Sequence, residues 1–235
     1  MRLLIINKKM IAVIMVILAL ILIITIFLTL TNNSKEVFRE DIYYKGTNNE
    51  KIIAFACNVD WGNEYIPGML KLFDDNDIKI SFFITGRWAE NNPDLVKSIQ
   101  DYNHEIGNHG YNHLDYSKLS YNLNKEQISK TNEIIKEITG VAPTLFGPPS
   151  GAFNENTLKA AKDLNNKVIL WSIDTIDWRK DSTKDLIIKR VTSKAEESAI
   201  VLMHPTEQTV KALPEIINYL FKNGYKIGTI SDVIN

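Results

Sequence analysis

Two histidines lie four residues apart in the segment His109-Gly-Tyr-Asn-His113. At this spacing both imidazoles face the same side of a helical turn and can bind one metal ion. Taken alone the pair is weak evidence, because histidines at this spacing are also found as surface or capping residues. It predicts a metal site only if further ligands converge on it.

Asp60 is the best candidate for a third ligand, because it follows an apolar run and lies within Asn58-Val-Asp-Trp-Gly62. Two imidazoles and one carboxylate, with a coordination position left open, are typical of catalytic zinc. The alternative is a turn aspartate before Trp-Gly. With the two histidines in the same chain, we predict that Asp60 is a ligand of a divalent metal, namely zinc.

A third histidine and a second aspartate also follow apolar runs. His204 ends Ile200-Val-Leu-Met-His, and Asp177-Trp178 follows another short run. A carboxylate beside His204 would orient the imidazole and favour its protonated form, which suits a general acid. The alternatives are a structural histidine at His204, a helix cap at Asp177 and a core residue at Trp178.

Short β-branched or aromatic runs alternate along the chain with segments of helical periodicity. Seven strands are predicted at Ile52–Cys57, Ile78–Ile84, His104–Gly107, Thr144–Phe146, Val168–Trp171, Ala199–Met203 and Tyr225–Ile230. Such alternation implies a parallel sheet, either doubly wound or closed as a barrel. The polar candidates all follow predicted strand ends, which is where parallel α/β folds carry their sites.

The N-terminal part has a different composition. Residues 10–30 form an apolar run without charge, Gly or Pro, long enough to predict a transmembrane anchor, with a cleaved signal peptide as the alternative. Arg2, Lys8 and Lys9 precede it, which predicts that residues 1–9 are cytoplasmic. Residues 31–50 are predicted as a linker, and residues 51–235 as an extracellular domain of a single-pass membrane protein.

Charge and cysteine content exclude some classes of protein. The formal net charge of −1 at pH 7 gives no indication of a nucleic-acid partner. Cys57 is the single cysteine, so an intramolecular disulfide is impossible, and its apolar surroundings predict a buried thiol.

Five ordered blocks resemble the polysaccharide deacetylase family, a carbohydrate esterase type also called the NodB-homology domain, across residues 51–232. The blocks are Cys57-Asn-Val-Asp-Trp-Gly62, Gly107-Asn-His-Gly-Tyr-Asn-His113, Leu145-Phe-Gly-Pro-Pro-Ser-Gly151, Asp174-Thr-Ile-Asp-Trp178 and Leu202-Met-His204. Their order and spacing are more specific than any single block. The resemblance implies a distorted (β/α) barrel of about seven parallel strands.

The resemblance also implies a metal-dependent hydrolase that removes acetyl groups from N-acetylated sugars of a cell-surface polysaccharide such as peptidoglycan. By that resemblance His109 and His113 hold the metal. His204 is the catalytic acid and Asp177 its orienting partner. The pocket for the sugar is lined by Trp178, Pro148 and Pro149.

Two positions differ from the family pattern. The first block of the family has adjacent aspartates, a base and then a metal ligand, whereas this chain has Asn58, Val59 and Asp60. The third block has an arginine where Gly147 stands. An amide cannot accept a proton from water as a carboxylate can. We therefore expect either Asp60 to serve the site as ligand or base, or a catalytically impaired glycan-binding module. An O-acetyl esterase is a further alternative, because an ester has a better leaving group.

Overall fold

The structure is a computed structural model that describes residues 8–37, 42–48 and 50–234. It divides into two compact units, residues 1–40 and 41–235. In the first unit, Lys8–Val37 forms helix α1. Among the described residues we find no helix with both the length and the apolarity needed to cross a membrane, so the predicted anchor at residues 10–30 is not supported. Residues 1–7 of the predicted cytoplasmic segment lie outside the described residues.

The second unit is built on a parallel sheet. Its described strands are β1 (Ile42–Tyr43), β2 (Ile52–Val59), β3 (Ser81–Ile84), β4 (Glu105–Asn108), β5 (Leu145–Phe146), β6 (Lys167–Ile169), β7 (Ile173–Asp174), β8 (Ile200–Met203) and β9 (Lys226–Gly228). Eight of them follow the order β1-β6-β5-β4-β3-β2-β8-β7, and β9 pairs with the first residues of β2. This path fits the predicted distorted barrel in the form of a half-barrel.

Helices connect the strands, as a parallel sheet requires. They are α2 (Ile66–Asp75), α3 (Gly86–Asn91), α4 (Pro93–Asp101), α5 (Tyr121–Thr139), α6 (Glu155–Asp163), α7 (Lys184–Thr192), α8 (Glu207–Lys222) and α9 (Ile230–Ile234). Short 3-10 turns lie at Tyr116–Lys118 and Pro149–Gly151.

The composition of the central strand β2 is typical of a parallel sheet. Its sequence, Ile-Ile-Ala-Phe-Ala-Cys-Asn-Val, is apolar on both faces, and every residue from Ile53 to Val59 is buried. A strand covered on both sides has this composition, because helices pack on each face of a parallel sheet. The main core includes Phe55 and Val59 of β2 together with Phe73 of α2.

All seven predicted strands are present, with shifted ends. Two further strands, β1 and β7, were not predicted, and β1 lies within residues 31–50, which were predicted as a linker. The last predicted strand stops at Gly228, and Ile230 begins α9. Helix α5 ends at Thr139, and Gly140 directly after it adopts φ 81°, a conformation that glycine permits.

Candidate active site

The polar residues that follow the strands meet in one cavity of about 370 Å³ at the carboxyl edge of the sheet. Parallel α/β folds place their binding sites at this edge. The cavity is lined by Asn58, Asp60, Trp61, His109, His113, Ser150, Trp171, Asp174, Trp178, Leu202 and His204. The structure therefore brings residues of all five sequence blocks to one site.

Asp177 and His204 form a hydrogen-bonded pair at this cavity. Oδ1 of Asp177 lies 2.7 Å from Nδ1 of His204, and Oδ2 accepts from the backbone N–H of His204 at 2.7 Å. The hydroxyl of Thr209 donates to the same Oδ2 at 2.5 Å. The Asp177 side chain is fully buried, whereas that of His204 is 16% exposed. The carboxylate therefore fixes the imidazole with Nδ1 directed inward, which leaves Nε2 for a ligand in the cavity.

The backbone around this pair adopts unusual conformations. Ile176, directly before Asp177, has φ 53°, and two cavity residues, His113 and Ser150, have φ values of 54° and 56°. Positive φ costs energy for residues with a Cβ atom, most of all for a β-branched one, and such strain is concentrated at functional sites. Arg190 supports the Ile176 segment by donating to the carbonyl oxygen of Thr175 at 2.7 Å.

His109 has the properties of a neutral metal ligand. Its Nδ1 lies 2.6 Å from the carbonyl oxygen of Gly147, and because a carbonyl can only accept, the ring proton is on Nδ1 and Nε2 carries a free lone pair. A carbonyl oxygen that accepts from the non-ligating ring nitrogen commonly orients a ligating histidine. Burial, followed by the charge of the neighbouring His113, lowers the pKa of His109 to about 3. The centroids of the His109 and His113 rings lie 5.2 Å apart.

Asp60 is engaged by partners other than these histidines. Its Oδ1 accepts a hydrogen bond from the Thr85 hydroxyl at 2.7 Å, and Nη2 of Arg87 lies 3.0 Å from Oδ1 and 2.8 Å from Oδ2. Within the part of the chain that the structure describes, no three His, Cys, Asp or Glu side chains are grouped to hold a metal ion. The predicted Asp60–His109–His113 metal site stays a prediction: the three residues line one cavity, and the Asp60 carboxylate pairs with Arg87 as the side chains stand. In this arrangement the residues present do not fit a three-ligand metal centre.

The two positions that depart from the family pattern have clear environments. Asn58 lines the cavity, whereas Val59 is fully buried in the core. These neighbours lie on opposite faces of β2, as alternate residues of a strand do. A Cβ atom added at Gly147 would approach Phe83 to 3.0 Å. The cavity wall therefore carries an amide at residue 58, and the Phe83 side chain lies beside Gly147.

Three of the four tryptophans line the cavity. Trp61 and Trp178 have 44% and 57% of their surface exposed, and Trp171 also faces the cavity. The Trp61 ring is parallel to the His204 imidazole, with 6.0 Å between the centroids and 4° between the planes. Trp178 thus lies where its predicted pocket role requires.

The structure corrects the prediction for Pro148 and Pro149. Both are buried, and neither is among the residues that line the cavity. Pro148 precedes the 3-10 turn Pro149–Gly151 and Pro149 begins it, and it is the exposed Ser150 that faces the cavity. Because proline fixes φ and removes a donor, the two prolines shape this turn.

Several residues of the site were not predicted. Asp174 and Trp171 line the cavity. Asp174 ends the short strand β7, which was not recognised, and Trp171 lies between β6 and β7. Thr209 and Arg87 act through Asp177 and Asp60. They lie on helices α8 and α3, where a threonine and an arginine give no signal in the sequence.

Fold and site together define a parallel α/β protein with an aromatic cleft that contains a buried carboxylate–histidine pair. Comparison with known proteins makes the family specific. The family model described as "Polysaccharide deacetylase" matches residues 45–169, more than half of the chain. The chain belongs to the polysaccharide deacetylase family.

Two sequence relatives illustrate the range within the family. The uncharacterized protein YlxY of Bacillus subtilis is 40% identical over 85% of this chain, and the match covers 62% of YlxY. A peptidoglycan-N-acetylglucosamine deacetylase of Bacillus cereus is 33% identical over 80% of this chain and 70% of its own length. The chain thus spans less than two thirds of YlxY.

The similar solved structures include a pseudoenzyme of this family. A CE4 family pseudoenzyme from Bacillus anthracis matches with a TM-score of 0.80 and 40% identity, over 83% of this chain and 69% of that one. A mutant of that pseudoenzyme with restored enzymatic activity matches with a TM-score of 0.80 and 39% identity. The similarity therefore extends to a relative described as a pseudoenzyme as well as to active deacetylases.

Proposed function

We propose that this protein binds the N-acetylated sugars of a bacterial cell-wall polysaccharide, in the manner of a peptidoglycan deacetylase, and that its hydrolytic step is strongly attenuated. The observation that carries the proposal is the combination in one cavity of an exposed aromatic surface and the Asp177–His204 pair with an amide, Asn58, at the position of the base.

The cleft has the chemistry that a sugar polymer requires. Pyranose rings have apolar faces that pack on aromatic side chains, and Trp61 and Trp178 offer such surfaces on the cavity wall. Small polar ligands are oriented by a few polar groups among apolar ones. Here Asn58 and His204 provide such groups on the cavity wall.

Of the two groups that acid–base catalysis needs, the general acid is retained. The buried Asp177 carboxylate can stabilise a protonated His204, which would donate a proton to a departing amine. No carboxylate stands at residue 58, and the carboxylate at residue 60 is bound to Arg87. General acid–base groups contribute roughly 100- to 10,000-fold each to rate, so loss of the base is sufficient to attenuate turnover.

The proposal places the domain outside the cytoplasmic membrane, because polymeric cell-wall glycan lies there. The relatives named as peptidoglycan deacetylases support that substrate class. The Nε2 atom of His109 carries a free lone pair, which supports the descent of this site from one that binds a metal ion.

The test is acetate release from chitotetraose by the full-length protein and by Asn58→Asp. We expect the wild-type chain to release acetate at least tenfold more slowly than Asn58→Asp, because the aspartate restores a proton acceptor in the cavity. Asn58→Ala is the matched control, since it changes the same side chain without adding a base. Equal rates for all three proteins would contradict the assignment of residue 58.

An O-acetyl substrate separates a weak hydrolase from a pure binding module. An ester expels a better leaving group than an amide. Its hydrolysis therefore needs less catalytic assistance, which the Asp177–His204 pair alone can supply. Hydrolysis of an acetyl ester that is lost in His204→Ala would assign residual esterase activity to this cavity. Absence of hydrolysis, with glycan binding retained, would define a binding module.

A further inference from the structure

Arg87 forms an ion pair with the carboxylate that the cleft would need as a third metal ligand. Its Nη2 lies 2.8 Å from Oδ2 and 3.0 Å from Oδ1 of Asp60. Oδ1 also accepts from the Thr85 hydroxyl at 2.7 Å. Both carboxylate oxygens therefore accept hydrogen bonds from donors that follow the neighbouring strand β3.

The local sequence explains this pairing. Asp60 directly follows β2 and Thr85 directly follows β3, and these strands are parallel neighbours in the sheet. Thr85 also caps α3 by accepting from the backbone N–H of Trp88 at 3.3 Å. The cap fixes the start of α3, and Arg87 lies within its first turn. The guanidinium is thus held beside Asp60 by backbone geometry.

A guanidinium in this position opposes metal binding in two ways. It engages lone pairs of both carboxylate oxygens and so leaves fewer for a cation, and it adds a positive charge next to the place where a divalent cation would be bound. His109 already has its Nε2 lone pair available, and His113 lies beside it. With the Asp60–Arg87 ion pair in place, two histidines are available as metal ligands. If Asp60 were released from Arg87, three ligands would be available.

We propose that Arg87 keeps Asp60 from completing a metal site with His109 and His113, so that the residue at position 87 sets the metal affinity of the cleft. This inference deepens the proposed attenuation of hydrolysis and rests on the same cavity. Its readout is metal affinity, which is measured without glycan or turnover, so its failure is distinguishable from failure of the proposed function.

The experiment is titration of the full-length wild-type chain and of Arg87→Gln with Co²⁺ and Zn²⁺ at pH 7.5, followed by calorimetry and by the visible absorption of Co²⁺. We expect Arg87→Gln to bind metal about fivefold more tightly, which corresponds to the upper end of the range for a partly exposed ion pair. Arg87→Lys retains the charge and should gain little.

Two further variants make the test specific. Arg179→Gln removes a guanidinium of nearly the same exposure, 52% against 50%, which pairs with Asp181, and it should leave metal affinity unchanged. Adding Asp60→Ala to Arg87→Gln should abolish the gain. An affinity of Arg87→Gln within twofold of the wild type, or a gain that survives Asp60→Ala, would overturn the proposal. Thermal melting of each variant establishes that it is folded.

Discussion

Asp177 is the buried acceptor on which the geometry of His204 depends, so we expect its removal to destabilise the protein as well as to disorder the site. The side chain is fully buried and accepts from Nδ1 and the backbone N–H of His204 and from the Thr209 hydroxyl. Asp177→Ala deletes the acceptor for all three. The Thr209 hydroxyl retains an alternative partner, Oγ1 of Thr206 at 2.8 Å.

The magnitude follows from the groups left without partners. A buried donor that loses its acceptor costs roughly 1–3 kcal/mol, and the backbone N–H and imidazole of His204 both lose theirs. Because the imidazole is partly exposed and can bind water, we expect Asp177→Ala to lower the free energy of unfolding by about 3 kcal/mol. Asp177→Asn keeps one acceptor oxygen and should lose less.

The assay is urea unfolding followed by tryptophan fluorescence, with the free energy extrapolated linearly to water. Asp181→Ala is the matched control, because it removes an exposed carboxylate four residues further on that pairs with Arg179, and we expect no measurable change. A loss below 1 kcal/mol for Asp177→Ala would refute the view that this carboxylate organises the site.

Three other predictions follow from single contacts. Trp61→Ala should weaken chitotetraose binding about tenfold, as loss of an aromatic contact surface does, whereas Phe221→Ala, with the same 44% exposure but outside the cavity, should not. Burial, followed by the charge of Lys79, lowers the pKa of His104 from 6.5 to about 4. The unfolded chain therefore takes up the proton first as pH falls, so the free energy of unfolding should decrease from about pH 6.5 to 4, with a shallower slope in His104→Leu. Gly110→Ala should destabilise by roughly 2–3 kcal/mol more than Gly224→Ala, because both have positive φ but only at Gly110 would the new Cβ meet Tyr116, at 2.2 Å from its hydroxyl. Equal losses for the two glycine variants, or a wild-type pH slope in His104→Leu, would contradict these assignments.

The sequence alone was enough to predict that His109, Asp177 and His204 lie at one site. Each follows a predicted strand, namely His104–Gly107, Val168–Trp171 or Ala199–Met203, and parallel strands present their carboxyl ends at one edge of the sheet. The long strand β2 is recognisable because burial on both faces requires an unbroken apolar composition. Strands β1 and β7 were missed because each has two residues, too few for any periodicity.

The partner of Asp60 could not be predicted from the sequence. Asp60 and Arg87 are separated by 27 residues, and their contact depends on the register of β2 against β3 and on the start of α3. Residue types alone favoured a carboxylate beside two histidines, because that combination binds zinc well. The competing interaction, an ion pair with an arginine from the next loop, is visible only in three dimensions.

The two prolines illustrate a similar limit. The Pro-Pro-Ser segment after β5 forms a turn at the sheet edge. Which side chain of the turn enters the cavity depends on its backbone angles. Ser150 has φ 56° and faces the cavity, whereas Pro148 and Pro149 are buried.

The most direct test of the central claim is calorimetric titration of the full-length protein with chitotetraose and with its fully de-N-acetylated counterpart, with acetate quantified in the same samples. The account predicts that the N-acetylated tetramer binds at least tenfold more tightly and is recovered with its acetyl groups intact. Equal affinity for the two oligosaccharides, or rapid release of acetate by the wild-type chain, would contradict it.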